Sequence, residues 1–294
     1  MNDLATNDLA NPAQAAPGVM RTALRLWRTR LGMAIVALLV LIAIIGPSIA
    51  PYGPSKFVGK PNLRDVKGSW LGTDYFGQDV WSRFLHGGRS ILIMATLSTA
   101  IGFIVGAAIG LIAAYDRGRA DEILMRAMDT LLAFPQLLLT LVALTAVGPK
   151  AWIIVAVVAF TTIPRIARIT RGAAVPVVER DFIGAAEALG ESKTRIVTRE
   201  LLPNVTGPLL VEANLRLTYS IAIIAGLSFL GFATKVNAAD WGLMIQENRP
   251  GVSVQPWGVL LPAMAIALLT IGTGLIADGI SRTVAGIDRG RPEA

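Results

Sequence analysis

Long uncharged apolar runs, each closed by arginine, lysine or aspartate, organise this chain more clearly than any shorter rhythm. The first runs from Leu31 to Ser55 and the second from Ser90 to Tyr115. A third occupies Thr130 to Pro149, where Lys150 separates it from a shorter fourth, Ala151 to Pro164, which must borrow flanking residues. The fifth runs from Thr206 to Leu230, with Glu212 and Arg216 near its start, and the sixth from Pro256 to Ala277. Crossing a hydrocarbon layer of about 30 Å takes about 20 helical residues. The pattern therefore predicts an all-α, polytopic membrane protein with six transmembrane helices, or five if the fourth run fails.

Composition agrees: 53% of the 294 residues are hydrophobic and 16% charged, with mean hydropathy +0.59, which is a membrane-protein profile. The net charge of +7 is spread over juxtamembrane positions rather than gathered into one stripe, which argues against a nucleic-acid partner and for a lipid bilayer. Absence of cysteine excludes disulfides and thiolate metal sites. Residues 1–20, rich in Ala and Asn with Pro12 and Pro17, read as a disordered tail. They lack the blocks of a signal peptide, so the first span is expected to stay in the mature protein.

Orientation follows from the basic residues, which cytoplasmic loops retain in excess. One side collects Arg21, Arg25, Arg28 and Arg30; Arg117, Arg119 and Arg126; a loop holding Arg165, Arg168, Arg171, Arg180, Lys193, Arg195 and Arg199; and a tail with Arg282, Arg289 and Arg291. The other side holds Lys56, Lys60, Arg64, Lys67, Arg83 and Arg89 in one long loop, then Lys150, Lys235 and Arg249. The first set is placed inside, with both termini cytoplasmic. Residues 1–30 then form an N-terminal tail, 31–87 the first span and outer loop, and 283–294 a C-terminal tail.

The inventory for catalysis is poor. His86 is the only histidine, which removes histidine metal sites, a Ser-His-Asp triad and HExxH, and it reads as a solvated loop residue. The run Gly190 to Thr194 lacks the glycines of a phosphate-binding loop, which here are Glu187 and Ser192, so ATP is not bound by that motif. No metal or cofactor is assigned to this chain. The first, second, third and sixth runs have no interior carboxylate, against an ion-coupled secondary carrier, and no paired aspartates or Ser-Lys arrangement suggests an intramembrane enzyme. Glu212 and Arg216, four apart on one helical face, read as a neutralised pair near the cytoplasmic interface rather than a gate or substrate contact. Gly102, Gly106 and Gly110 line one face of the second span and predict a close internal helix contact; Gly272 and Gly274 are placed similarly in the sixth.

The polar stretch from Asp181 to Asn204 reads as two short helices joined at a glycine. Phe182, Ala185, Ala186 and Leu189 form a shallow alanine face, with Arg180, Glu187 and Glu191 on the other side. Gly190 is a left-handed stop, Ser192 caps a helix carrying Ile196, Val197 and Leu201, and Pro203 ends it before the fifth span. Such a helix-turn-helix suits docking of a protein; by residues alone it also suits an amphipathic segment on the lipid surface.

Gly184-Ala185-Ala186, then Gly190, then Leu202-Pro203 resemble the EAA loop of bacterial ABC importer permeases, spanning 179–204 here. Gly184 replaces the leading glutamate, and Glu200 stands where an aliphatic residue is usual. Two further blocks resemble the C-type dipeptide and oligopeptide permeases: LGTDYFGQDVWSRFLHGGRS from Leu71 to Ser90, with Gln78 in place of arginine, and LSFLG (227–231) followed by DWGLMI (240–245), Pro256-Trp257 and ADGISR (277–282). The resemblance covers about residues 25–285. It implies a type I ABC importer permease fold with the permease domain at 88–282, in a bacterial cytoplasmic (inner) membrane. It further implies a heterodimer with a second homologous permease, two cytoplasmic ABC ATPase subunits that bind the ATP and Mg, and an extracytoplasmic solute-binding protein. The chain would then be no enzyme. Gly184, Ala185, Ala186, Leu189, Gly190, Leu202 and Pro203 would couple it to the ATPase during import of di- or oligopeptides, or alternatively of a nickel chelate or glutathione. The outer block from Gly72 to Arg89 is expected to pack at the outer interface, with Trp241 and Trp257 as interface anchors.

Overall fold

The structure, a computed structural model, describes residues 22–233 and 239–285. Residues 1–21 of the expected N-terminal tail, Lys235 and the basic residues Arg289 and Arg291 lie outside the described residues, and the first long helix starts inside the expected tail, at Trp27. The helices are α1 (Trp27–Ile49), α2 (Val80–Asp116), α3 (Gly118–Leu132), α4 (Gln136–Val147), α5 (Ala151–Val178), α6 (Asp181–Ala188), α7 (Lys193–Phe229), α8 (Trp241–Asn248) and α9 (Trp257–Val284). Among the described residues there is no strand, only isolated bridges Phe57/Gln78, Val66/Ser69 and Thr73/Asp79 in the loop before α2. The chain is a polytopic all-α protein.

Several spans differ from their apolar runs. α1 ends at Ile49, short of Ser55, and its backbone turns extended at Ala50. α2 begins at Val80 rather than Ser90, because Asp79 caps it by accepting from Ser82 N at 2.8 Å. Its first turns carry Arg83, His86 and Arg89, which belong to the helix and not to a loop. The fourth span, expected to be the weakest, is a 28-residue helix that passes through Pro164 and Pro176. Arg165, Arg168 and Arg171 therefore ride on α5; Arg168 pairs with Asp129 of α3 at 2.7 Å, and Arg171 with Asp121.

The third run is broken. α3 and α4 meet at 82° across Ala133–Pro135, where Pro135 has no N–H to continue the ladder and disfavours helical backbone in Phe134 before it. α3 is amphipathic, with Asp121 and Asp129 turned to the α5 arginines, and only the twelve residues of α4 are free of charge.

The glycine stripe shows that this bent pair nevertheless returns across the bundle. A Cβ at Gly102 would meet Thr162 and Ala159, one at Gly106 would meet Ile166 and Ile163, and one at Gly110 would meet Ala167 and Thr170, all at 3.0 Å or less for the nearest atom. Residue numbers rise together, so α2 and α5 run parallel in close register. A chain that leaves one end of α2 and re-enters at the other end of a parallel neighbour must cross between them. Six crossings result among the described residues: α1, α2, the bent pair, α5, α7 and α9.

Two apolar clusters fill the bundle. One gathers Phe84, Ile91, Ile154, Val158, Ile224, Trp241, Met244 and Leu269 toward the α8 end; the other gathers Ala107, Leu111, Ile166, Leu201, Val205 and Leu209 toward α6. α1 leans on the outside, with Gly32 against the Gly272 carbonyl and Gly46 against the Leu85 carbonyl, each 2.6 Å from a Cβ built there. Gly274, by contrast, faces open space. Thr29 lies against Gly279, and Val284 against Gly207. The first and last described helices therefore both reach the end of the bundle that carries α6.

Candidate functional site

α6 projects from the bundle on a small anchor. Ile183 is its only buried residue, Ala186 is half-buried, and Phe182, Gly184, Ala185 and Leu189 are exposed, Leu189 to 83%. The alanine face thus points away from the body, and Ile183, which the periodicity did not single out, holds the helix down. Gly190 takes φ +77° with open space around it. The N–H of Glu191 donates to the Ala186 carbonyl and that of Gly190 to the Glu187 carbonyl, at 3.1 and 3.0 Å, the paired bonds that close a helix on a left-handed residue.

Beyond Gly190 the expectation of a second separate helix fails. Ser192 makes no side-chain cap; its carbonyl accepts from Ile196 N at 3.0 Å instead. Pro203 does not end a helix either. A π-helical turn, Ile196–Leu201, lets Leu202 N donate to Val197 O and leads directly into Leu202–Phe229, where Pro203 sits in the first turn and its missing N–H costs little. Ile196 and Leu201 are fully buried, so α6 is mounted on the rooted end of α7. Side chains fasten the same loop to α2: Lys193 Nζ lies 2.7 Å from Asp116 and 6.0 Å from the Tyr115 ring centroid, and Arg117 lies 3.3 Å from Glu179.

Glu212 and Arg216 are buried in α7, Oε1 and Nε 2.7 Å apart but not aligned as a hydrogen bond. The guanidinium also lies 4.7 Å from the Tyr219 ring centroid. Arg216 borders a cavity of about 270 Å³ at the α3/α4 break, shared with Phe134, Pro135, Gln136, Thr161 and Arg165.

At the opposite end of the bundle, two of the sequence blocks meet in one buried joint. Asp74 accepts from Phe76 N and Gln78 N at 2.9 and 2.7 Å, and its other oxygen receives Arg83. Arg83, fully buried, also donates to Glu247 of α8 at 2.8 Å. Burial pushes the Glu247 carboxyl above its ordinary range, and Arg83 opposes that shift. Asp240 caps α8 through Gly242 N and Leu243 N and receives the Ser90 hydroxyl. Trp241 is fully buried, its Nε1 donating to the Phe84 carbonyl at 2.9 Å, and Gly87 and Gly88 leave room for its ring. Trp241 is therefore a packing residue and not an interface anchor; Trp257 remains exposed. His86 is half-buried on α2, its Nδ1 2.8 Å from the Ser82 carbonyl, rather than solvated in a loop.

Among the described residues no cluster of His, Cys, Asp and Glu could hold a metal ion. Residues 106–286 match the family described as binding-protein-dependent transport system inner membrane component, and residues 28–65 match the N-terminal TM domain of oligopeptide transport permease C. A chain of Brucella suis biovar 1 (strain 1330), provisionally named a peptide transport system permease protein, is 37% identical, covering 89% of this chain and 90% of that one. The di/tripeptide transport system permease protein of Pseudomonas aeruginosa (strain UCBPP-PA14) is 33% identical over 85% and 84% of the two chains. A chain of the inward-facing MetNI methionine ABC transporter shares the fold, with TM-score 0.54 at 20% identity, over 70% of this chain and 97% of that one.

Proposed function

Because the chain belongs to the family of binding-protein-dependent transport system inner membrane components, we propose that it is one permease subunit of an ATP-driven importer of di- or oligopeptides, coupled to its motor through α6. It is a multi-pass inner membrane protein without an enzymatic role of its own. The observation that carries the coupling reading is the outward alanine face of α6 on an anchor that joins two spans. A push on α6 is passed to α7 through the π turn and to α2 through Lys193–Asp116 and Arg117–Glu179. Small side chains at Gly184 and Ala185 allow a partner surface to approach closely.

In this reading α6 and both chain ends are cytoplasmic. ATP and Mg are bound by two ATPase subunits, a second homologous permease completes the pathway, and an external solute-binding protein delivers the cargo. The family description supports the binding protein, and the names of the relatives support peptides. Transport is then a shift between inward- and outward-facing states, each weighted by nucleotide and by the loaded binding protein. With the complete complex in proteoliposomes, Ala185→Trp is expected to reduce ATP-dependent dipeptide uptake by roughly 5- to 150-fold with the subunits still assembled, the equilibrium shift that a misfit of about 1–3 kcal/mol at a packed contact produces. Normal uptake by this variant would sink the coupling role of α6.

A further inference from the structure

The cavity at the α3/α4 break is bordered by two arginines and served by one carboxylate. Glu212 is engaged with Arg216 at 2.7 Å. Arg165 is near enough for its charge to act on both, yet it forms no ion pair of its own among the described residues, whereas the next arginines along α5, Arg168 and Arg171, are each held by an α3 aspartate. Two positive charges and one negative leave an excess of one cation beside a cavity of about 270 Å³. Its depth is the same from three directions. At about 1.5 Å per residue, Arg165 lies about 21 Å from the start of α5, Arg216 about 20 Å from the end of α7, and Pro135 about 18 Å from the end of α4. That is the inner half of a bilayer about 30 Å thick.

Arg165 is exposed on this chain, and an ionisable group at such a depth marks a solute pathway rather than a lipid-facing surface; its planar fork suits a carboxylate. The cavity is smaller than the roughly 300–1,000 Å³ of pockets that enclose a drug-sized ligand, so it takes one end of a solute. Gln136, which donates to the Thr161 hydroxyl at 3.1 Å, adds polar groups beside it. Resting on the import reading above, we infer that Arg165, steadied by the Glu212–Arg216 pair, is a transient binding point for the carboxylate of the transported solute on the inner half of the pathway. Binding there is weak, as a pathway site must be if the solute is to leave.

The test is saturation-transfer NMR of dialanine and dialanine amide with the complete permease–ATPase complex in nanodiscs of neutral lipid. Arg165→Gln is expected to cut the dialanine signal roughly tenfold, the loss of one charge-assisted hydrogen bond, with the amide signal unchanged. Arg165→Lys should retain part of it, and Arg126→Gln, an exposed arginine elsewhere, all of it. An unchanged dialanine signal in Arg165→Gln, or an equal loss for the amide, overturns the inference. So does loss of co-purifying phosphatidylglycerol in Arg165→Gln with dialanine binding intact, which would assign the cation to a lipid headgroup. Failure of the two readings is separable: a wild-type complex that binds dialanine through Arg165 but shows no ATP-driven uptake keeps the subsite and sinks the import function.

Discussion

Arg83 is shielded from solvent and its charge is met from two directions, by Asp74 nine residues earlier in the chain and by Glu247 on α8. Removing the cation alone leaves two carboxylates facing each other in a dry site. Arg83→Met is therefore expected to lower stability by about 3–5 kcal/mol, measurable as a drop in the unfolding midpoint of the purified complex. Adding Asp74→Asn and Glu247→Gln should recover much of that loss; a triple variant no more stable than the single one would contradict the electrostatic explanation. This joint was not legible beforehand. The charges in LGTDYFGQDVWSR interrupt an apolar run, and hydropathy assigns such an interruption to a solvated loop. It cannot register that Arg83 is shared by Asp74 and by Glu247, the latter more than 160 positions away. Trp241 was misplaced for the same reason: a tryptophan near a span end resembles an anchor until Gly87 and Gly88 are seen clearing space for its ring.

The contact between α2 and α5 is the most extensive in the bundle, and its closeness depends on three glycines. A Cβ at Gly106 would come 2.8 Å from the Ile166 Cβ and 2.9 Å from the Ile163 carbonyl, neither of which can rotate away. Gly106→Leu should cost at least about 1–3 kcal/mol, read as reduced yield and midpoint of the assembled complex, whereas Gly274→Leu, built into open space, should stay within about 0.5 kcal/mol of wild type. Equal behaviour of the two variants would remove the packing role from the stripe. The four-residue spacing is visible in the sequence because it follows the helical repeat; much of its partner is not, since Ile166, Ala167 and Thr170 become neighbours of Gly106 and Gly110 only when α5 continues beyond Pro164. Prolines and arginines made that helix look short. The arginines are tolerated because α3 supplies aspartates to Arg168 and Arg171, and Pro203 is tolerated because the π turn before it has already shifted the ladder.

For the molecule as a whole, the parallel register of α2 and α5 has a consequence that chemistry can read directly. If the bent α3–α4 pair crosses the membrane, three crossings separate Lys67, before α2, from Leu189, on the α6 loop, and the two lie on opposite sides. If the pair dips in and returns, only α2 and α5 separate them and they share a side. The chain contains no cysteine, so single cysteines can be placed without background, and both positions are exposed. Lys67→Cys should react with a membrane-impermeant maleimide in intact spheroplasts, while Leu189→Cys should react only in inside-out vesicles. Labelling of both from one side would refute the crossing and with it the α2–α5 register. The reverse pattern would keep six crossings but turn the protein over, placing α6 away from the compartment where ATP is made. Only the expected pattern, with the excess of arginine and lysine on the side of α6, puts the alanine face of that helix where an ATPase can push on it.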